Sequence, residues 1–201
     1  MKISNYENEE LWMQARIGRI MGTRAGGIML NKNTKERKKG FWEVVAERLS
    51  IDDGYENMME RGKDLEKEAI TRFTEETSIK IDDSLVIWSR DDNDTIAISP
   101  DGFTEDLKIA VEVKCLNTAS HIEGLVTGKI PGEYTDQVLQ YFVVNDDLEK
   151  LYFVMYDPRI QYKDFFYIEV TRDNEKVSER LLVEKEAVDE IERIVNELSG
   201  F

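Results

Sequence analysis

The sequence predicts an α/β protein in which a central mixed β-sheet is flanked by helices. Segments with helical periodicity come first, a group of strand-like segments with one helix among them follows, and a long amphipathic segment closes the chain. The chain has 201 residues, of which 41% are hydrophobic and 34% are charged, and it contains no repeat or Pro/Ser-rich linker. This composition indicates one globular domain that spans residues 1–201.

The helices are predicted from apolar spacing and from capping residues. They are expected at 7–20, 41–50, 56–76, 133–144 and 178–198, with a polar, lysine-rich loop between the first two. In the third of these helices, Met58, Leu65, Ala69 and Phe73 share one face, and Glu66 lies at the edge of that face.

The strands are predicted from short runs of β-branched and aromatic residues. They are expected at 84–89, 95–99, 108–115, 150–157 and 164–170. The third strand is unusual because its apolar run contains a glutamate and a lysine. Val111 and Val113 face one way, whereas Glu112 and Lys114 face the other way, roughly 6–7 Å apart along the strand. Taken alone, this pattern is also consistent with a half-exposed strand that carries a surface ion pair.

A second carboxylate is expected beside this strand. Pro100 and Gly102 flank Asp101, and this combination favours a strand end followed by a turn. The ten residues between Asp101 and Glu112 include a turn, so the flanking strands can pair as a hairpin that brings the two carboxylates together. Paired carboxylates suit Mg²⁺ or Mn²⁺, and Lys114 on the same face can orient water or stabilise developing negative charge.

The composition excludes several other kinds of site. One cysteine, Cys115, and one histidine, His121, cannot supply a cysteine-ligated iron–sulfur cluster or a zinc site within one chain. Cys115 is expected to be a small buried residue on the valine face, and His121 a loop histidine without a catalytic role. No apolar run reaches the ~20 residues that span a bilayer, and the N-terminus lacks a signal-peptide core, so no membrane partner is expected. A single cysteine cannot form an internal disulfide, so an intracellular protein is expected.

The charge distribution indicates an anionic partner. The net charge is −15, yet residues 11–40 contain eight basic residues and one acidic residue. A local basic segment on an acidic protein is consistent with DNA binding, although a solvated loop without a ligand gives the same pattern. The candidate DNA-binding residues in its second half are Lys32, Lys35, Arg37, Lys38 and Lys39.

Four motifs occur in an order that is typical of one nuclease family. They are GKDLE at 62–66, SPDG at 99–102, EVKC at 112–115 and YTDQVLQY at 134–141, preceded by Trp12, Arg16 and Gly22-Thr23. With these motifs the sequence resembles the PD-(D/E)xK nucleases, whose fold is that of restriction endonucleases. Within that group, residues 10–145 resemble the phage lambda exonuclease family, also called YqaJ-like viral recombinases.

The resemblance implies an Mg²⁺-dependent exonuclease, with Mn²⁺ as a substitute and two ions per active site. It implies digestion of linear double-stranded DNA from the 5′ end, which leaves a 3′ overhang for a single-strand annealing protein. It also implies a homotrimeric ring and a phage or prophage protein in the bacterial cytoplasm.

The resemblance also assigns roles to individual residues. Asp101 and Glu112 are expected to bind metal together with the Val113 carbonyl, and Glu66 to serve a second ion. Lys114 is expected to position the attacking water, assisted by Gln137. The expected contacts to the phosphate at a DNA end are Arg16, Thr23 and Ser99.

Gln140 follows Gln137 by three residues where the family pattern suggests two, and a helix would still place it near the same face. Gly18 and Gly22 are expected to let the backbone approach the phosphate. Two alternatives stay open: another enzyme of this fold (Cas4-like, repair or restriction), or a catalytically inactive DNA-binding protein.

Overall fold

The computed structural model places seven strands in two sheets within the residues that it describes, 1–30, 32, 37–49, 60–116, 118–158 and 163–200. The strands are β1 Lys2–Asn5, β2 Val86–Ser89, β3 Ala97–Ile98, β4 Gly102–Phe103, β5 Ile109–Lys114, β6 Lys150–Tyr156 and β7 Phe165–Thr171. The first sheet is antiparallel with the order β1-β2-β3, and the second is mixed with the order β4-β5-β6-β7.

Helices surround these sheets. The α-helices of the described segments are α1 Glu9–Arg16, α2 Lys39–Leu49, α3 Glu60–Thr77, α4 Thr118–Thr127, α5 Thr135–Val144 and α6 Asn174–Ser199. Short 3₁₀ segments lie at Gly22–Ile28 and Gly132–Tyr134. None of the described helices combines the length and the apolar character that a membrane crossing requires.

A hairpin is present at Asp101, but its first strand is β4 rather than the predicted strand at 95–99, which pairs with β2 instead. Gly102 pairs with Val111 in an antiparallel ladder, and β5 then pairs in parallel with β6 through the crossover that contains α4 and α5. The single central sheet of the prediction is divided, because β2 and β3 belong to the other sheet. The division falls at Pro100, which has no N–H to donate and therefore cannot continue a ladder.

α3 covers the valine face of the mixed sheet, as the sequence predicts. Ala69 and Phe73 pack against Val111 and Val113, and Cys115 lies at the margin of the same cluster. Met58, assigned to this face by its spacing, lies outside the described residues. The opposite face of the sheet, which carries Glu112 and Lys114, is therefore free for α5 and α6.

α5 and α6 form the layer on that opposite face. Tyr141 and Phe142 of α5 join one large core with Leu151 and Phe153 of the sheet, and α6 adds its apolar stripe around Ile191. Helix α6 begins earlier than predicted because the Asp173 side chain caps it by accepting a hydrogen bond from the Lys176 N–H.

The sequence did not predict three elements, the strands β1 and β4 and the helix α4. The expectation of a loop around His121 is wrong, because this residue lies on α4 and is completely buried. One of its ring nitrogens, Nε2, lies 2.8 Å from the Lys163 carbonyl oxygen, and its ring meets Phe166 edge-on. His121 therefore anchors α4 to the chain that enters β7.

Candidate active site

Glu112 is the centre of the site. It lies in β5 with only 1% of its surface exposed, and its carboxylate accepts hydrogen bonds from Gln137 Nε2 at 2.5 Å, from the Tyr141 hydroxyl at 2.5 Å and from Lys114 Nζ. Gln137 and Tyr141 are one helical turn apart, so α5 presents both donors to the same carboxylate. A buried charge needs this degree of compensation. The glutamate in an apolar strand is thus explained by the helix that packs over it.

Asp101 is held next to Glu112 by the hairpin. Its Oδ2 accepts a hydrogen bond from the Val113 N–H at 2.7 Å. Burial raises the pKa of Asp101 well above its ordinary value, and the neighbouring Glu112 and Glu66 carboxylates raise it further. Neighbouring carboxylates stay ionised together only when positive charge is close by. The Val113 N–H thus holds Asp101 where the Glu112 charge acts on it.

Lys114 supplies part of that positive charge. Burial disfavours its ammonium form, but the Glu112 and Asp101 carboxylates outweigh this effect and raise the pKa of Lys114 above its ordinary value. Its Nζ lies 5.3 Å from the centre of the Tyr134 ring, a cation–π contact. Lys114 is therefore a cation throughout the physiological pH range and a hydrogen-bond donor inside the site.

Glu66 and Arg16 complete the charged cluster from two different helices. Burial and the Glu112 carboxylate raise the pKa of Glu66, whereas Lys114 and Arg16 lower it. The Arg16 guanidinium lies 4.3 Å above the Trp12 ring. Burial lowers the pKa of Arg16, and the Asp101 and Glu112 carboxylates oppose this effect. The charges of Glu66, Arg16 and the Glu112 carboxylate thus influence one another, so these groups share one electrostatic environment.

The donor set fits a small divalent cation. Within the segments that the structure covers, no three His, Cys, Asp or Glu side chains converge into a ready-made metal cluster. Mg²⁺ needs less than that, because it retains several waters and is commonly held by one or two carboxylates. The mutually repelling pair of half-buried Asp101 and buried Glu112 provides such a site, and a cation would relieve the repulsion that raises the pKa of Asp101.

Ser99 is placed differently from the expectation of a phosphate contact. It is 8% exposed, its hydroxyl donates to the Val86 carbonyl at 2.8 Å, and it accepts from Trp12 Nε1 at 2.9 Å. Both functions of the hydroxyl are thus engaged within the protein. Ser99 therefore holds the Trp12 ring, on which Arg16 stacks, and does not face a ligand.

The basic segment is only partly free to bind DNA. Thr23, Lys32 and Lys38 are exposed, and Lys38 Nζ also lies 3.3 Å from the Gly26 carbonyl oxygen. Arg37 does not fit the DNA-binding expectation, because it donates to Glu190 on α6 at 2.8 Å and lies over the Phe41 ring. Lys35 and the side chain of Lys39 lie outside the described residues.

Two further expectations about this region are corrected. A Cβ on Gly22 would lie 2.0 Å from Ile98 Cδ1, so the absence of a side chain there serves internal packing rather than approach of a ligand. Gly18 adopts a positive φ of 71°, and its N–H donates to Glu47. Gln140 turns away from Glu112 and donates to Glu184 at 3.1 Å.

Tyr141 is the site residue to which the sequence analysis gave no role. Its hydroxyl is buried against Glu112, and burial raises its pKa well above the ordinary value. The spacing of four residues from Gln137 was the available signal, because it places both side chains on one face of α5.

Comparison with known proteins shows the family of this chain. The model of the YqaJ-like viral recombinase domain matches residues 11–147, which include every residue of the charged cluster. The chain belongs to the YqaJ-like viral recombinase family. The family resemblance inferred from the four motifs is therefore confirmed. No curated protein matches the sequence.

Solved structures similar to this YqaJ-family chain include an alkaline exonuclease, LHK-Exo, from Laribacter hongkongensis. That structure is 27% identical, with a TM-score of 0.84 over 95% of this chain and 96% of the other. LHK-Exo in complex with dAMP is also 27% identical, with a TM-score of 0.83 over 94% and 96% of the two chains. A phage-related exonuclease from Haemophilus somnus, 16% identical, with a TM-score of 0.63 over 90% and 96%, shows the shared fold. The predicted PD-(D/E)xK fold is thereby confirmed.

Proposed function

We propose that this protein is a metal-dependent deoxyribonuclease of the alkaline exonuclease type, which digests linear double-stranded DNA from the 5′ end and leaves 3′ overhangs. The observation that carries the proposal is the convergence of Asp101, Glu112 and Lys114, with Arg16 in the same electrostatic cluster. The exonuclease class has the support of the family match and of LHK-Exo. The dAMP bound by LHK-Exo is a deoxynucleoside monophosphate, the kind of product that an exonuclease releases.

Asp101 and Glu112, with the Val113 carbonyl, are proposed to hold Mg²⁺ or Mn²⁺, and Glu66 to serve a second ion. The bound metal supplies Lewis-acid stabilisation and a water of lowered pKa. Lys114, held by the Glu112 carboxylate, donates a hydrogen bond toward the attacking water or toward negative charge that develops on the phosphate. Gln137 and Tyr141 keep the Glu112 carboxylate in one orientation, so the site is organised before substrate arrives.

Arg16 and Thr23 are proposed to bind the terminal 5′ phosphate. Arg16 is fixed on the Trp12 ring beside the carboxylate cluster, and Thr23 is exposed on the 3₁₀ segment that follows. A guanidinium binds phosphate through two parallel hydrogen bonds, and a terminal phosphate carries more negative charge than an internal diester. The proposed pocket therefore favours phosphorylated ends, and Lys32 is placed to add long-range attraction.

A linear duplex labelled separately at each 5′ and 3′ end tests the function. With Mg²⁺, the 5′ labels are expected to leave first as mononucleotides while the 3′ labels stay on long single strands, and EDTA is expected to stop the reaction. Duplexes with a 5′ phosphate should be digested faster than duplexes with a 5′ hydroxyl, and Arg16→Ala should remove most of this difference. Discrete internal fragments would indicate an endonuclease instead, and an absence of Mg²⁺-dependent cleavage would indicate a scaffold that only binds DNA.

The proposal extends to assembly and cellular role. A homotrimeric ring around DNA, a single-strand annealing protein as partner and a phage or prophage origin in the bacterial cytoplasm follow from the family resemblance. Light scattering on the purified protein tests the assembly, and a monomer at micromolar concentration would contradict it.

A further inference from the structure

A ladder of polar contacts joins α6 to α5 on a face next to the one that meets Glu112. Arg180 and Glu184 are one turn apart on α6, and they face Asp136 and Gln140, which are one turn apart on α5. The first pair also contacts the Ala25 carbonyl through Arg180, and the second pair contacts the Ile20 carbonyl through Gln140. The ladder thus connects three parts of the chain, one of which is α6, outside the matched family domain.

Arg180 forms the first contact of the ladder, with Asp136. Arg180 is 9% exposed, donates through Nη1 to the Ala25 carbonyl at 3.0 Å and donates through Nη2 to Asp136. A guanidinium can make two such bonds in fixed directions, which a lysine ammonium cannot reproduce. Arg180 therefore fixes the distance between Ala25 and the first turn of α5.

The second contact of the ladder lies one turn further along both helices. Gln140 Nε2 donates to Glu184 at 3.1 Å and lies 3.5 Å from the Ile20 carbonyl. Both side chains are fully buried. The segment between Ile20 and Ala25, which carries Thr23, is consequently held against α5 at both of its ends.

The 3₁₀ segment packs against α5 without room for adjustment. A Cβ on Gly26 would lie 1.9 Å from Asp136 Oδ2, and a Cβ on Gly22 would lie 3.1 Å from Gln137 Cγ. The contact is therefore backbone against helix, and Asp136 is pinned between Gly26 and Arg180. A shift of Asp136 would move the 3₁₀ segment relative to α5.

A neighbouring face of α5 holds the site. Gln137 follows Asp136 directly, so its side chain projects about 100° further around the helix, where it donates to Glu112. Tyr141 repeats this arrangement next to Gln140. One short helix thus carries the ladder on one face and the donors to the Glu112 carboxylate on the neighbouring face.

We propose that Arg180 is a positioning residue for recognition of the DNA end, an inference that rests on the proposed function. Through Asp136 and the Ala25 carbonyl, Arg180 sets the position of the Thr23 segment relative to α5, and therefore the distance from the bound 5′ phosphate to the scissile bond at Glu112. Arg180 does not contact DNA itself. Its loss loosens the register between end binding and cleavage, and a misplacement of about 1 Å is enough to cost up to about 100-fold in rate.

The test compares full-length wild type with Arg180→Met on linear duplexes that carry a 5′ phosphate or a 5′ hydroxyl, with Mg²⁺. The measured quantity is the ratio of the two rates at saturating DNA. In Arg180→Met this ratio is expected to fall about tenfold, while the rate on 5′-hydroxyl ends changes less than about threefold. Arg180→Lys, which retains the charge opposite Asp136 but not the fork, is expected to recover part of the ratio. A residue that only stabilises the fold would change both rates equally.

A matched control is Arg172→Met. Arg172 makes the same kinds of contact at the other end of α5, since it donates to the Phe142 carbonyl at 2.8 Å and to Asp146. Its loss is expected to lower the thermal stability but to leave the ratio unchanged. Gly26→Ala displaces Asp136 while the Arg180 side chain is retained. This variant is expected to lower the ratio as Arg180→Met does. This variant carries the test should Arg180→Met not fold.

The outcomes separate this inference from the proposed function. A wild-type enzyme that prefers 5′-phosphate ends, with the same ratio in Arg180→Met and Gly26→Ala, overturns the inference alone. An equal fall in the ratio for Arg172→Met overturns it as well, because the effect would then be general loosening. A wild type without Mg²⁺-dependent digestion or without phosphate preference overturns the proposed function and this inference together.

Discussion

The buried carboxyl of Glu184 makes a quantitative prediction about stability and pH. Burial raises the pKa of Glu184 to about 7 from an ordinary 4.5, although Gln140, Arg180 and Arg90 act to lower it and Asp136 raises it further. The Oε1 atoms of Glu184 and Gln140 are both buried without a hydrogen-bond partner. A proton on Glu184 supplies the donor that this pair lacks, so the folded protein favours the neutral acid.

The sign follows from proton binding. Between pH 4.5 and 7 the folded protein holds the Glu184 proton more tightly than the unfolded chain does. The contribution of this proton to the free energy of unfolding is therefore fully present below about pH 4.5 and is lost as the pH rises through about 7. A shift of about 2.5 pKa units corresponds to about 3 kcal/mol. Glu184→Gln cannot ionise, and its amide can donate to Gln140. At pH 8 the variant is therefore expected to be more stable than wild type by about 2–3 kcal/mol, and at pH 4.5 by much less.

Urea unfolding of wild type and Glu184→Gln at pH 4.5, 6, 7 and 8 measures this difference directly. Glu186→Gln, an exposed position on the same helix, is the matched control and is expected to show a difference that does not vary with pH. If the difference between Glu184→Gln and wild type is constant within about 0.5 kcal/mol over this range, the reasoning from burial is refuted.

Three substitutions in the site give further predictions. Asp101→Asn should abolish Mg²⁺-dependent digestion while it raises the stability of the metal-free protein in urea at pH 8, because a buried repulsion with Glu112 is removed; near wild-type activity would rule out the metal site. Lys114→Met should lower the rate at saturation at least about 10³-fold and leave the DNA dissociation constant nearly unchanged, and a loss confined to binding would contradict its role. Tyr141→Phe removes one of three donors to Glu112 and should lower the rate about 10–100-fold with little change in the thermal midpoint; an unchanged rate would show that the other two donors suffice.

Strand β5 and the turn that precedes it could be predicted from the sequence because both depend on short-range features, whereas the division into two sheets and the parallel pairing of β5 with β6 could not. Alternation along β5 places Val111 and Glu112 on opposite faces, and Pro100 with Gly102 marks the start of a hairpin. Only ten residues separate Asp101 from Glu112, so the turn brings the two carboxylates together whatever the rest of the chain does. The candidate metal pair is thus determined locally.

The partners of the other polar residues were decided by tertiary packing. Arg37 pairs with Glu190, which is 153 residues away in the sequence. Arg180 donates to the Ala25 carbonyl, which is 155 residues away. Sequence periodicity shows which face a side chain occupies, but it does not show which element packs on that face. Charge alone therefore predicted a DNA contact for Arg37, where the fold provides a carboxylate.

Ser99 and Tyr141 show the same division between sequence and structure. The hydroxyl of Ser99 was assigned to phosphate from its place in a motif, but the packing of α1 brings Trp12 to it and occupies it. Tyr141 has an apolar ring that suits any core, and its function depends on its hydroxyl meeting Glu112 across the interface between α5 and the sheet. The sequence determined most of the strands and helices and the short turn between Asp101 and Glu112, because these follow from backbone periodicity and short loops, but it did not determine β1, β4 or α4. The tertiary structure decided which polar groups serve the site and which serve the fold, because a buried hydrogen bond forms with whichever partner long-range packing brings within about 3 Å.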